Sequence, residues 1–422
     1  QLKNQLSQLN STHFEESGKV ISYADGMCTV YGLSNATIGE LIIFDNNATG
    51  IIFDMKNELC DIFLLENLCI NAGSGARRTN APFSVLISDE QLGRVINIKG
   101  TPIDGLSEKY SPNAIKKPIE QNIIGIVGRE SVHEPLSTGI LAIDSMIPIG
   151  LGQRQLFLGN KGSGKTTSVL DIIANNKDND LVFIYVGIGQ KQSEMALINK
   201  KLYEKGAFRN CIMISSSADL PPVCHYLAPY VGCTIAEYFA HEKKKNVVVI
   251  YDDLSKHAVA YRELSLLMRR PASREAYPGD VFYLHSRLLE RAGNFLNGGS
   301  ITAIPIAQLQ EDDITAYIPT NLISITDGQV FFDMKLFNAG IKPAVNTELS
   351  VSRVGGAAQP AMINKLSKAL RLELAQYHEL ALFSQFGSEL DSNSEEKLKR
   401  GKMLISLLSQ DYESIYSLAD EV

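Results

Sequence analysis

Gly159-Asn160-Lys161-Gly162-Ser163-Gly164-Lys165-Thr166 is the stretch that decides how the rest of the chain is read. The octet satisfies G-x-x-x-x-G-K-[ST], in which glycines let successive backbone N–H groups curl around phosphate oxygens. Its flanks agree. Gln155-Leu156-Phe157-Leu158 reads as an apolar strand leading in, and residues 167–174 carry apolar side chains at helical spacing leading out. A helix start adds unpaired N–H donors and a dipole that favours anions. In this pattern Lys165 neutralises the outer phosphates and the Thr166 hydroxyl holds Mg²⁺. Residues 159–167, Thr167 included, are therefore the expected nucleotide-binding loop, whereas a glycine turn beside a surface lysine would need neither flank.

Moving outward, residues 246–253 read Asn-Val-Val-Val-Ile-Tyr-Asp-Asp, an apolar strand ending in acids. A carboxylate there sits at the ligand edge of an open α/β sheet. Asp252 is expected to serve Mg²⁺ through water, since that ion dehydrates reluctantly. Asp253 equally suits a helix N-cap. Gly187-Ile188-Gly189-Gln190 follows an apolar strand over 181–186, where a hydrolytic site could place a Glu. Gln190 can orient water but cannot act as a carboxylate base, and because Gln positions water in some GTPases the residue alone leaves hydrolysis open. Arg353, among the small residues of Ser350-Val351-Ser352-Arg353-Val354-Gly355-Gly356, reads either as a surface ion-pair partner or as a group reaching a neighbouring subunit's γ-phosphate.

The chain has 422 residues, with 40 Lys plus Arg against 47 Asp plus Glu, 45% apolar and 21% charged. That mixture excludes wholesale disorder, collagen and a disulfide scaffold, and its acidic balance argues against bulk nucleic-acid binding. No apolar run approaches the ~18 residues of a spanning helix. Six scattered cysteines, none in a Cys-x-x-Cys pair, are expected to be reduced and buried. The sequence opens on Gln1 without a Met, which leaves a lost targeting peptide open.

Three regions follow from pattern. Residues 1–81 hold short strands around the turns Asp25-Gly26 and Asp45-Asn46-Asn47, suggesting a small β-barrel. From 82 to 360, strands alternate with amphipathic helices, the mark of a parallel α/β nucleotide-binding domain. Residues 361–422 carry apolar side chains at helical spacing over 362–386 and 395–408, a helical domain.

Several longer runs resemble one family, the alpha subunit of the F-type ATP synthase headpiece. They are Gly100-Thr101-Pro102-Ile103-Asp104-Gly105, residues 131–136 (Ser-Val-His-Glu-Pro-Leu), residues 251–262 (Tyr-Asp-Asp-Leu-Ser-Lys-His-Ala-Val-Ala-Tyr-Arg), residues 274–287 (Arg-Glu-Ala-Tyr-Pro-Gly-Asp-Val-Phe-Tyr-Leu-His-Ser-Arg) and residues 316–321 (Ala-Tyr-Ile-Pro-Thr-Asn). The resemblance implies an N-terminal β-barrel, a RecA-like P-loop domain and a C-terminal helical domain. It further implies ATP or ADP with Mg²⁺ at a non-catalytic site, with Gln190 where the catalytic beta subunit carries Glu. Arg353 falls on the family's arginine finger, Phe337 on an aromatic beside adenine, Lys342 in the adenine pocket and Gln410 on a late adenine contact. Implied partners are beta subunits in an alternating ring of three alpha and three beta, a central rotor stalk and a peripheral stalk, with no nucleic acid. Membrane association comes only through that complex, on the cytoplasmic face of a bacterial membrane or the matrix or stromal face of an organelle. Residues 384–391 resemble the start of the helical domain near the stalk.

Departures are also legible. Asn160-Lys161-Gly162-Ser163 stands where the family has Asp-Arg-Gln-Thr, and Lys342 replaces an Arg whose planar fork Lys cannot supply. Residues 308–313 diverge as well, and 35 residues follow Gly387, a short helical domain. These changes motivate an alternative, an alpha-like subunit of a divergent motor driving mechanical work other than ion transport. A Rho-like RNA translocase would need basic and aromatic residues on its barrel, yet residues 18–80 offer only Lys19, Lys56, Arg77 and Arg78 as cations. Homomeric secretion and flagellar export ATPases would need the Glu that Gln190 lacks.

Overall fold

The computed structural model describes residues 16–106, 114–385, 392–411, Ser414 and Tyr416. The resemblance noted for 384–391 falls largely outside them. Six strands open the described chain: β1 (Ser17–Ala24), β2 (Met27–Tyr31), β3 (Glu40–Phe44), β4 (Thr49–Lys56), β5 (Leu59–Leu64) and β6 (Gly75–Pro82). They close into an antiparallel barrel in the order β1-β2-β5-β4-β3-β6. Asp25 and Gly26 both take positive φ, and Ala24 pairs with Met27 across them, the two-residue hairpin that Asp-Gly favours. Val20, Val30, Ile42, Phe44 and Ile62 point inward and fill the barrel.

The central sheet contains β7 (Val95–Ile96), β8 (Gln155–Asn160), β9 (Leu181–Gln190), β10 (Cys211–Ser217), β11 (Asn246–Asp252), β12 (Ser300–Leu309), β13 (Gly328–Phe332) and β14 (Val345–Ser352). Their spatial order is β14-β13-β8-β12-β11-β9-β10-β7. Along that order neighbours run parallel except β14, which pairs antiparallel with β13, and the short strands Gly293–Phe295 and Arg129–Glu130 add antiparallel pairs beside β12. The antiparallel β14 edge departs from the all-parallel expectation. Its cause is local, because the chain between β13 and β14 turns back instead of crossing over. Parallel strands buried on both faces read as unbroken apolar runs. In β9, Val182, Ile184 and Val186 enter one core while Phe183 and Tyr185 enter the other. In β11, Val247, Val249 and Tyr251 share the first core with Val182, and Val248 and Ile250 share the second with Phe183.

Helices cover both faces: α1 (Leu141–Met146), α2 (Lys165–Asn175), α3 (Gln192–Glu204), α4 (Pro222–Glu237), α5 (Leu254–Leu267), α6 (Val281–Leu289), α7 (Tyr317–Ile325), α8 (Met334–Asn338), α9 (Ala361–Gln385) and α10 (Ser392–Leu408). Helices α2 and α3 supply the second core, and α4, α5 and α6 the first. Two further expectations need amendment. Strand β9 runs on through Gly187 to Gln190, because β10 pairs with it along that stretch as far as Gln190, with a register shift between Ile188 and Gln190. Among the cysteines, Cys69 is exposed, while Cys28, Cys60, Cys211, Cys224 and Cys233 are buried, and all six are free.

Candidate functional site

The parallel strands deliver their C-terminal ends to one edge, and a cleft of about 540 Å³ opens there. Residues 161–167 form its floor as the loop passes from β8 into α2. Gly162 and Gly164 take φ of 82° and 101°, the left-handed region that glycine adopts without steric cost. Gly159 is required for another reason: a Cβ there would lie 2.4 Å from Phe332 O on β13. Ser163 Oγ donates to Asn160 O (2.9 Å), and Asn160 Oδ1 accepts from the Asp312 N–H (3.1 Å), tying the loop to the end of β12.

Lys165 is buried and donates from Nζ to Gly159 O and Asn160 O, both at 2.6 Å. Burial lowers its ammonium to about 8, partly offset by Asp253 and Asp252. Thr166 Oγ1 donates to Asp252 Oδ2 (3.2 Å), so the P-loop hydroxyl and the strand-end carboxylate meet although 86 residues apart in sequence. Tyr185 OH also donates to Oδ2 (2.5 Å), and Gln190 Nε2 to Oδ1 (3.1 Å). Burial raises the Asp252 carboxyl above its usual range against those donors. Asp253 caps α5, its Oδ1 accepting from the Lys256 N–H (2.7 Å), and burial next to Asp252 pushes it up to about 6. A hydroxyl and a carboxylate make a hard oxygen donor pair that fits Mg²⁺ completed by water and phosphate. Among the described residues no cluster of three or more His, Cys, Asp or Glu offers an all-protein metal site.

At the other end of the cleft, Phe337 on α8 is half-buried, with Lys342 Nζ 5.4 Å from its ring centroid. Gln410 is buried in the wall, its amide committed to main chain: Oε1 accepts from Leu141 N (2.8 Å), and Nε2 donates to Gly139 O (2.9 Å) and Ser414 O (3.1 Å). The structure thus gathers residues 161–167, Gln190, Asp252, Phe337, Lys342 and Gln410 around one cleft, with Gly159 and Asn160 beneath its loop. It leaves Arg353 elsewhere. Ser352 pairs with Gly328 and Gly328 with Gln155, which sets Arg353 at the N-terminal edge of the sheet. The phosphate loop lies beyond the other end of β8, a strand length of about 17 Å away. The Arg353 side chain is exposed there, with Nη1 donating to Thr326 O (3.3 Å).

Tyr185 and Lys256 also line or brace the cleft and were given no role from sequence, and Gln308, the first residue of the divergent run 308–313, lines it too. Tyr185 carries no signal of its own inside an apolar run. Lys256 carries none either, since the Asp253 cap uses only its backbone N–H while its side chain reaches Gly189 and Gln190.

The order of strands, the loop and the strand-end acid define a P-loop nucleotide-binding chain built on a parallel α/β sheet. The family model for the ATP synthase alpha/beta family, nucleotide-binding domain, matches residues 139–352, and that for the ATP synthase alpha/beta chain, C terminal domain, matches residues 359–422. The chain is 50% identical to ATP synthase subunit alpha of Sulfurovum sp. (strain NBC37-1) over 399 residues, 94% of this chain and 79% of that one. It is 48% identical to ATP synthase subunit alpha of Clostridium botulinum (strain Hall) over 427 residues, 100% of this chain and 84% of that one. The chain belongs to the ATP synthase alpha/beta family.

Proposed function

We propose that the chain is the alpha-type subunit of a rotary ATP synthase, which holds Mg-ATP in its own cleft without cleaving it and supplies Arg353 to the catalytic site of an adjacent beta subunit. One observation carries this reading: the exposed Arg353 lies at the sheet edge opposite Lys165, so it cannot serve the chain's own phosphate loop. A second supports it. Position 190 offers an amide, and the amide oxygen is already bonded to Lys256 Nζ (2.9 Å), leaving no carboxylate base at that place. Lys165 and the loop N–H groups would hold the phosphates, and Phe337 and Lys342 would border the base. Thr166 and Asp252 would hold Mg²⁺, which when bound neutralises charge on the outer phosphates. Partners on this reading are beta subunits in an alternating ring, a central rotor stalk and a peripheral stalk. Attachment to a membrane then comes through the complex; among the described residues no helix is long and apolar enough to cross one.

The barrel does not favour a nucleic-acid partner. Arg78 is held by Glu40 (2.9 Å) and Glu16 (2.8 Å), and Lys56 lies 3.2 Å from Asp54. The test is Arg353→Ala in a ring reconstituted with beta subunits. Hydrolysis should fall by about 10³–10⁵, while the isolated variant binds Mg-ATP as the unaltered chain does. Undiminished hydrolysis by the variant ring removes the finger assignment, and brisk turnover by the isolated chain removes the non-catalytic one.

A further inference from the structure

Gln190 ends β9 with its side chain gripped at both ends. Nε2 donates to Asp252 Oδ1 (3.1 Å) and Asp252 O (3.3 Å), while Oε1 accepts from Lys256 Nζ (2.9 Å). Lys256 Nζ donates as well to Gly189 O (3.0 Å). A primary amide has one donor end and one acceptor end, and an ammonium is a donor only. Lys256 therefore decides the orientation of the amide: oxygen toward α5, NH₂ toward Asp252. Asp252 in turn accepts from Gln190 on Oδ1 and from Tyr185 and Thr166 on Oδ2. A buried carboxylate with that many donors has one resting orientation.

We propose that Lys256 is a positioning residue of the divalent-cation site, acting through the Gln190 amide to lock the Asp252 carboxylate. The inference rests on the Mg-ATP reading above. Two features separate this role from simpler ones. The α5 cap uses the Lys256 backbone N–H on Asp253 Oδ1, so shortening the side chain leaves the helix start intact. The acceptors of Nζ, Gln190 Oε1 and Gly189 O, are both neutral, so the ammonium is directed at an amide and a carbonyl instead of closing an ion pair. The same bond takes one of the two lone pairs of the Gln190 oxygen, while the NH₂ faces Asp252.

The experiment titrates Mg²⁺ into the full chain with a fluorescent N-methylanthraniloyl ATP, starting from metal-free buffer. In Lys256→Met the Mg²⁺ midpoint should rise about tenfold, the lower end of what loss of an outer-shell partner costs. Metal-free binding of the nucleotide should stay as in the unaltered chain, while the melting temperature falls modestly because Gln190 Oε1 and Gly189 O lose a donor. Lys256→Arg, another donor-only cation, should restore most of the midpoint. Gln190→Ala should reproduce the rise and add nothing further in combination with Lys256→Met, the non-additivity of one linked path. An unmoved midpoint in Lys256→Met overturns the proposal. So does an equal loss of metal-free affinity, which would make Lys256 a direct phosphate contact. If the unaltered chain binds the labelled nucleotide neither with nor without Mg²⁺, the Mg-ATP reading itself falls, and this proposal with it.

Discussion

His257 illustrates how one side chain under α5 ties stability to pH. Its Nε2 sits 3.0 Å from Tyr226 O, so the neutral ring with a proton on Nε2 satisfies that carbonyl. Nδ1 has no partner, and protonating it would bury a donor with nothing to accept from it. Burial accordingly pushes His257 down to about 4. His225, bonded to Ser216 Oγ at 2.8 Å, is pushed down to about 4 by burial and by the neighbouring Lys256 charge. Both folded-state values lie below the usual 6.5. The unfolded chain therefore takes up these protons first, and stability present above that value is lost as the pH falls toward 4. Burial lowers His285 and His241 in the same sense, while Asp253, raised to about 6, and Asp252, raised by burial, work in the opposite sense. The expected result is that the His257 proton by itself contributes a stability loss of up to about 1.4 kcal/mol per pH unit between roughly pH 6 and 4. Urea unfolding of the unaltered chain and of His257→Asn checks it, and a variant with the parental slope would show that His257 is not the group responsible.

At the scale of elements, the end of β14 is where the fold fixes Arg353. Ser352 Oγ donates to Pro148 O (2.6 Å) and accepts from the Gly355 N–H (3.2 Å), while Gln359 Nε2 reaches Asp144 O (2.7 Å) and Ser145 O (2.9 Å) at the end of α1. Gly355 has no room for a side chain, since a Cβ would fall 1.7 Å from Pro148 O, a backbone atom that cannot turn aside. Gly355→Ala should cost about 1–3 kcal/mol by overpacking, read from the melting midpoint. It should also depress hydrolysis by the reconstituted ring while Mg-ATP binding to the isolated chain persists. Retained hydrolysis alongside the stability loss would show that the turn is not what aims Arg353. None of this was legible from the run around residue 353, whose small side chains mark tight packing without naming the surface packed against. The hairpins at Asp25-Gly26 and the phosphate loop were legible because their signals are local: a turn dipeptide, and glycines at fixed offsets between a strand and a helix. The antiparallel run of β14 and the extension of β9 to Gln190 were not, because both depend on which strands lie alongside.

Across the whole molecule, part of the barrel wall packs into the apolar core of the nucleotide domain, while the barrel interior keeps a core of its own. Ile51 and Phe63 of the barrel and Leu65 just after β5 belong to the same buried cluster as Val223, Leu227 and Tyr230 of α4 and Val182 and Val186 of β9. Phe53 meets Phe63 on one side and Tyr226 on the other, with ring centroids 5.1 Å apart in both pairs. Cys224 Sγ reaches Leu65 O at 3.3 Å. The sequence announced two adjoining units by a change of period, but period says nothing about the seam, which is made by side chains far apart along the chain. A seam this apolar couples the two units in unfolding, because exposing either removes burial from the other. Heating should therefore melt barrel and nucleotide domain in one calorimetric transition. Mg-ATP at 100 times its dissociation constant adds about 2.7 kcal/mol to the bound form and should raise that single midpoint by several degrees. A cysteine-attached probe at the exposed Cys69, in the connection between barrel strands β5 and β6, should report the same shift as far-ultraviolet dichroism. Two separate transitions, with only the later one moved by Mg-ATP and the Cys69 probe following the earlier one, would show that the barrel melts on its own and that the apolar seam does not bind the two into one unit.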